Sequence, residues 1–86
     1  MVSNMYYVYI LRSQKNGTKY VGFTGKLPEE RLKDHNDGSN KFTRLNKPFE
    51  LIYFEEYKDR NFAIKRERFL KSGIGRKLIN KKLRDV

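Results

Sequence analysis

Residues 6–23 read YYVYILRSQKNGTKYVGF, and the fold turns on this stretch. Tyr6 to Arg12 is dense in Tyr, Val, Ile and Leu, side chains that suit a pleated surface, and it predicts a strand. Lys15-Asn16-Gly17-Thr18 contains Asn-Gly, the strongest short hairpin signal, because both residues tolerate positive φ. Lys19 to Phe23 is then the antiparallel return strand. Four tyrosines, Tyr6, Tyr7, Tyr9 and Tyr20, fall on the two strands. Cross-strand aromatic pairs are an ordinary stabilising device. The functional alternative is that two phenol hydroxyls converge on one side of the hairpin. A phenol with a pKa of about 10 serves as a general base only where a metal or a cation depresses that value.

Working outward, Gly25 to Leu27 interrupts the return strand. Pro28-Glu29-Glu30 brings an imide and two acids to a helix's first turn, predicting a short helix to His35 or Asn36. Residues 36–40 read as loop on composition, and the loop region ends at Pro48. Phe49 to Tyr57 supplies a third strand, with Leu51, Tyr53 and Glu55 on one face and Ile52, Phe54 and Glu56 on the other. Asp59 is a plausible N-cap for a helix from Arg60 to Lys71 that carries Phe62, Ala63, Ile64, Phe69 and Leu70 and ends at Ser72-Gly73. Gly75 to Leu83 is a weaker terminal helix. The element order predicts an α+β fold, a small three-stranded antiparallel sheet flanked by about three helices, in a single domain over residues 1–86.

The 86 residues are too few for two ordinary domains, and folding hides only about 60–65% of the unfolded surface at this size. The absence of Cys removes disulfides, thiolate metal sites and Cys nucleophiles. Catalysis would fall to Tyr, carboxylates, Arg, Lys, Ser, Thr or the single His. Met5 to Leu11 is far shorter than the roughly 20 apolar residues that span a bilayer, so the chain reads as a soluble, cytoplasmic protein. Its net charge of +10 is unevenly placed. Residues 1–59 hold ten basic and eight acidic side chains, whereas residues 60–86 hold ten basic and two acidic. A basic end of this kind is the footprint of a polyanion binder, with nucleic acid the leading partner. A membrane surface fits less well, since the last segment offers only Leu78, Ile79 and Leu83 as an apolar face.

Three further patterns stand out. Arg31 and His35, four residues apart, share a helix face where a guanidinium could grip a phosphate through paired hydrogen bonds; the alternative is a solvated helix surface. Ala63, Glu67, Leu70 and Ile74 follow at helical spacing, so Glu67 stands inside an apolar row amid Lys65, Arg66, Arg68 and Lys71. It reads either as an intrahelical partner of Lys71 or as a ligand for a hard divalent cation, which takes one or two carboxylates and keeps several waters. Lys71, Arg76, Lys77 and Lys81 lie near that carboxylate in sequence and suit backbone-phosphate contacts.

In this order, the residues resemble the GIY-YIG nuclease superfamily. Tyr7-Val8-Tyr9 matches the first signature element, with Tyr in place of the leading Gly, and Tyr20-Val21-Gly22 matches the second. Residues 30–36, ERLKDHN, look like the stretch carrying the family's Arg and a His one turn on, and residues 63–71, AIKRERFLK, look like the helix with its metal-binding Glu. The similarity runs from Tyr6 to about Leu83 and is greatest to small stand-alone members, similar also to the UvrC and Slx-type nuclease modules. The resemblance implies phosphodiester hydrolysis with one divalent cation, Mg²⁺ or Mn²⁺, on Glu67. Tyr9 and Tyr20 would flank the water, Arg31 would bind the scissile phosphate, and His35 would assist as donor or proton carrier. Asn80 is the candidate for the family's supporting Asn. The implied role is a DNA endonuclease or nuclease module in repair or recombination; the rival is a non-catalytic nucleic-acid-binding module of the same fold. With no attached domain in view, a protein partner would supply specificity. Oligomeric state, and the choice between DNA and RNA, stay open.

Overall fold

A computed structural model describes residues 5–38 and 41–84. Its elements run β1 (Tyr6–Ser13), β2 (Lys19–Thr24), α1 (Pro28–Asn36), α2 (Lys41–Asn46), β3 (Phe49–Tyr57), α3 (Arg60–Lys71) and α4 (Gly73–Arg84). The three strands form one antiparallel sheet in the order β2-β1-β3. The α+β architecture expected from the sequence is the one observed.

β1 is the central strand, and its residues from Tyr7 to Leu11 are all buried. Because successive strand residues point to opposite faces, β1 feeds two small cores. Val8 and Ile10 pack with Ala63 and Leu70 of α3 and Ile79 of α4, while Tyr9 and Leu11 pack with Phe49 and with the half-buried Leu32 of α1. The sheet is thus sandwiched between α3–α4 and α1. This explains how so short a chain builds a core: the most apolar strand sits in the middle and is covered on both sides.

The hairpin forms as expected, but by a different turn. Within the turn Gly17 alone has positive φ (78°), and among the described residues no non-glycine residue does. Ser13 closes a four-residue loop by donating its N–H to the Thr18 carbonyl at 2.8 Å. The Ser13 hydroxyl accepts from the amides of Lys15 and Asn16, at 3.1 and 3.2 Å. With those amides satisfied, Asn16 has no need of the left-handed conformation that a two-residue loop would impose.

Three other differences have clear causes. A register shift beside Ile10/Leu11 pairs Ile10 with Tyr53 but Leu11 with Leu51, making Ile52 the extra residue of a β-bulge. Leu51 therefore packs with Tyr9 and Leu11, and Tyr53 with Val8 and Ile10, so the two do not share a face. Residues 41–46, read as loop, form α2, which is too short for a periodic signal. Tertiary contacts hold it: Thr43 is buried, and the Asn46 carbonyl accepts from the Ser13 hydroxyl. Finally, α3 stops at Ser72, whose extended backbone and hydroxyl, accepting from the Gly75 N–H at 3.2 Å, cap the start of α4. Ile74 thus leaves the apolar row of α3 and is 75% exposed. The Asp59 cap is as expected, accepting from the N–H groups of Asn61 and Phe62.

Candidate active site

α1 lies over the Tyr9 face of the sheet, and the four-residue spacing of Arg31 and His35 delivers both side chains to that phenol. His35 is fully buried, contrary to the solvated surface that a short charged helix suggests. Its Nε2 hydrogen-bonds the Tyr9 hydroxyl at 2.8 Å, and its Nδ1 has no hydrogen-bond partner among the described residues. The Tyr20 ring completes the cluster, with its centroid 4.8 Å from that of His35 and 6.3 Å from that of Tyr9.

Gly22 makes this arrangement sterically possible. It pairs with Tyr9 across the β1–β2 ladder, and a Cβ at Gly22 would stand 2.3 Å from both Cζ and the hydroxyl oxygen of Tyr9. The phenol therefore lies across the glycine of the second signature triplet. Read from the sequence, this residue has no structural role beyond its place in the triplet.

Burial pushes the Tyr9 phenol up to about 12, with Tyr20 and Glu67 adding to the rise and the Arg31 guanidinium opposing it. Burial, and then the charge of Arg31, hold His35 below its ordinary value, so it is neutral at pH 7. Arg31 is itself oriented by Asp34, which accepts from its Nη1 at 3.0 Å and lies 3.3 Å from Lys26 Nζ. Tyr9, Tyr20, Arg31, His35 and Glu67 thus act on one electrostatic centre, although they come from β1, β2, α1 and α3.

Glu67 is half-buried and pairs with Lys71 Nζ at 3.2 Å, the intrahelical contact that the sequence offers as its structural alternative. Among the described residues no group of three or more His, Asp or Glu side chains surrounds a common point. Yet the ammonium on Glu67 shows that a cation can stand against this carboxylate. One carboxylate, its side chain 20% exposed, also matches the sparse protein ligation of a hydrated hard divalent ion.

On the α3–α4 side of the sheet, with Tyr20 at its border, a cleft of about 550 Å³ runs between β2, the hairpin loop and the α3–α4 pair, lined by residues that also include Lys71, Arg76 and Asn80. Lys77 and Lys81 are exposed on α4 and do not line it. Lys19 and Thr18, to which the sequence reading gave no role, do line it. Their position at the junction of the hairpin turn and β2 carried no signal; only the packing of α4 brings them opposite Arg76 and Asn80.

Comparison with known proteins identifies the relationship behind this geometry. The model of the GIY-YIG catalytic domain matches residues 5–80. The chain belongs to the GIY-YIG family. A UPF0213 protein of Clostridium perfringens is 43% identical over 68 residues, covering 78% of this chain and 71% of that one. A UPF0213 protein of Bacillus licheniformis is 39% identical over 72 residues, covering 83% and 72%. The solution NMR structure of a UPF0213 protein from Bacillus halodurans superposes with a TM-score of 0.54 at 29% identity, covering 90% of this chain and 83% of that one. The GIY-YIG domain is a nuclease domain, so nucleic acid is the partner class and a divalent metal the cofactor class of the family. Among the described residues, no helix is long and apolar enough to cross a membrane.

Proposed function

We propose that this GIY-YIG protein is a metal-dependent endonuclease that hydrolyses phosphodiester bonds, with DNA the favoured substrate and repair or recombination its setting. The observation that carries the reading is the meeting of Tyr9, Tyr20, Arg31 and His35 over Gly22, with Glu67 in the same electrostatic field.

Roles follow from burial and charge. Arg31, fixed by Asp34, presents a guanidinium to the scissile phosphate. Tyr9, only 1% exposed and pushed up to about 12, is a poor proton acceptor at neutral pH. Tyr20 is half-buried and borders the cleft, so water reaches it more readily, and it is assigned the proton of the attacking water. Tyr9 and His35 brace that phenol from behind. Glu67 would hold Mg²⁺ or Mn²⁺ once Lys71 turns away, and the bound ion would supply a Lewis acid for a non-bridging phosphate oxygen. Arg76, Lys77 and Lys81 extend a positive surface towards the flanking backbone.

The test is incubation of purified protein with nicked, branched and single-stranded DNA in Mg²⁺ or Mn²⁺, beside Glu67→Gln and Tyr20→Phe. Cleavage should need the metal and fall in both variants. Equal cleavage by parent and variants would defeat the enzyme reading. Salt-sensitive binding without cleavage would leave a non-catalytic binding module in its place.

A further inference from the structure

The helix pair leaves four large apolar side chains in solvent: Phe62, Phe69, Ile74 and Leu78 are 61, 39, 75 and 44% exposed. Phe62 and Phe69, seven residues apart, share one face of α3, and Ile74 and Leu78, four apart, share one face of α4. Their neighbours show which way those faces look. Arg66, four residues after Phe62 and three before Phe69, reaches Glu55 of β3, and Lys82, four residues after Leu78, donates to the Tyr53 hydroxyl of β3 at 3.2 Å. Both rows therefore leave the helices on their β3 side, along a hydrogen-bonded chain from Arg66 through Glu55 and Tyr53 to Lys82. Glu67 lies on the other flank of α3, since its partner Lys71 lines the cleft with Tyr20 and Val21 of β2. Folding does not use the four side chains either: α3 and α4 meet the core through Ala63, Leu70 and Ile79. Single exposed apolar residues are ordinary, but a group of them rimmed by polar ones marks a contact surface.

Charge selects the occupant. Lys65 Nζ stands 6.0 Å from the centre of the Phe62 ring, the Arg66 guanidinium 5.4 Å from that of Phe69, and Lys82 Nζ 5.0 Å from that of Tyr53. Glu55 is taken up by Arg66 and two tyrosines, whereas Lys65 and Lys82 have no carboxylate partner among the described residues. A second copy of the chain, docked by two-fold symmetry, would set these cations against their own counterparts. Nucleic acid matches the cations, but Ile74 and Leu78 offer a base no ring to stack on, and Phe62 and Phe69 already carry a cation. A protein segment that bears both apolar side chains and carboxylates meets both requirements. Phe62 and Phe69 stand roughly 10 Å apart along α3 at its rise per residue, the length of the i, i+4, i+7 row that a facing helix presents. We infer that the β3-side face of α3 and α4 docks a partner protein through an acidic amphipathic helix, whose apolar row covers Phe62, Phe69, Ile74 and Leu78 and whose carboxylates meet Lys65 and Lys82. Because this face looks away from Glu67 and the β2 cleft, the partner leaves both open, and the inference does not depend on the nuclease reading.

The experiment selects binders to the immobilised full chain from a phage-displayed library of helical peptides randomised on one face, then titrates the most enriched peptide, labelled, by fluorescence anisotropy. Enriched sequences should combine large apolar residues at i, i+4 and i+7 with flanking Asp or Glu. Phe62→Ser/Leu78→Ser should weaken the titrated peptide at least tenfold. Lys65→Glu/Lys82→Glu, which leaves every apolar side chain in place, should also weaken it about tenfold and remove its salt dependence. Circular dichroism checks both proteins, and should the first fail to fold, the second alone decides. Selection of basic or purely apolar peptides, or binding that survives the substitutions, overturns the inference. Displacement of the peptide by oligothymidylate at the same salt would give the face to nucleic acid instead. A parent that sediments as a dimer, where Phe62→Ser/Leu78→Ser sediments as a monomer, would give it to a second copy, and either result overturns the acidic partner.

Discussion

Gly22 lies directly beneath Tyr9, and a single added Cβ would sit 2.3 Å from the phenol's Cζ and oxygen. Backbone contacts on one side and His35 on the other leave the ring no free direction, so Gly22→Ala should cost about 1–3 kcal/mol, the range for overpacked cores. Thermal denaturation measures it. Gly25→Ala is the control, since its nearest new contact is with Tyr6 at 4.0 Å, an ordinary distance. A Gly22→Ala protein as stable and as active as the parent would show that the Tyr9 ring is not confined.

The two phenols should separate in a cleavage assay. Tyr20→Phe removes the proposed proton acceptor and should lower the rate by about 10²–10⁴-fold. Tyr9→Phe removes a bracing hydroxyl and should cost about tenfold, well below the loss expected for a proton acceptor. The reverse order would transfer the role to Tyr9.

His35→Phe tests the buried imidazole. Nδ1 has no partner and Nε2 has one, so replacing the ring with an apolar one loses a single hydrogen bond, net about 1 kcal/mol, and relieves an unsatisfied polar atom. Stability should change little at pH 8. At acid pH the sign is definite: the folded-state pKa is lowered, so the parent loses stability as pH falls below the ordinary His value of about 6.5. His35→Phe should lack that loss. Denaturant midpoints across pH 5–8 would show it, and parallel curves for the two proteins would refute it.

Glu67 and Lys71 should compete with metal. Lys71→Met removes the 3.2 Å pair, worth about 0.3–0.5 kcal/mol for this helical spacing, and should tighten Mn²⁺ binding about twofold or somewhat more as a positive charge also leaves. Glu67→Gln should abolish binding in the same calorimetric titration, and EDTA should stop cleavage. Unchanged Mn²⁺ affinity in Glu67→Gln would remove the carboxylate from the metal site.

A second polar network fixes α3 to the sheet. Glu55 takes both guanidinium contacts of Arg66, at 2.9 and 3.0 Å, and accepts from the hydroxyls of Tyr53 and Tyr57. Burial alone would raise its carboxyl, but the hydrogen bonds from Arg66 and the two tyrosines hold it down at about 2. A folded pKa below the unfolded value means that the stabilisation is full above about pH 4.5 and is lost towards pH 2. Glu55→Gln should cost about 2–3 kcal/mol at pH 7 and flatten this acid limb. Arg66 precedes Glu67, so the same variant should loosen the helix that presents the carboxylate. Coincident acid-unfolding curves for parent and variant would contradict the assignment.

The strands, α1 and α3 were legible because each carries a local signal: β-rich composition in Tyr6–Ser13, Pro28 with two acids, the Asp59 cap. α2 was not, because six residues supply no period and its support comes from Ser13 and the burial of Thr43. The bulge at Ile52 was hidden because a one-residue change in pairing leaves no mark on composition. Among the candidate site residues, the spacing of Arg31 and His35 placed them on one face, but nothing local distinguished a buried His from a solvated one.

By itself the sequence determined the fold class, the family and the cast of the site, since apolar periodicity, turn residues and signature triplets are written in neighbouring positions. Tertiary structure alone decided how that cast is arranged. It laid Tyr9 over Gly22, buried His35 against both phenols, and set Lys19 and Thr18 of the hairpin across from Arg76 and Asn80 of α4. These relations join residues 13 to more than 60 positions apart. They arise only when the central strand is covered on both faces, because burial then fixes the orientation of every side chain that leaves it.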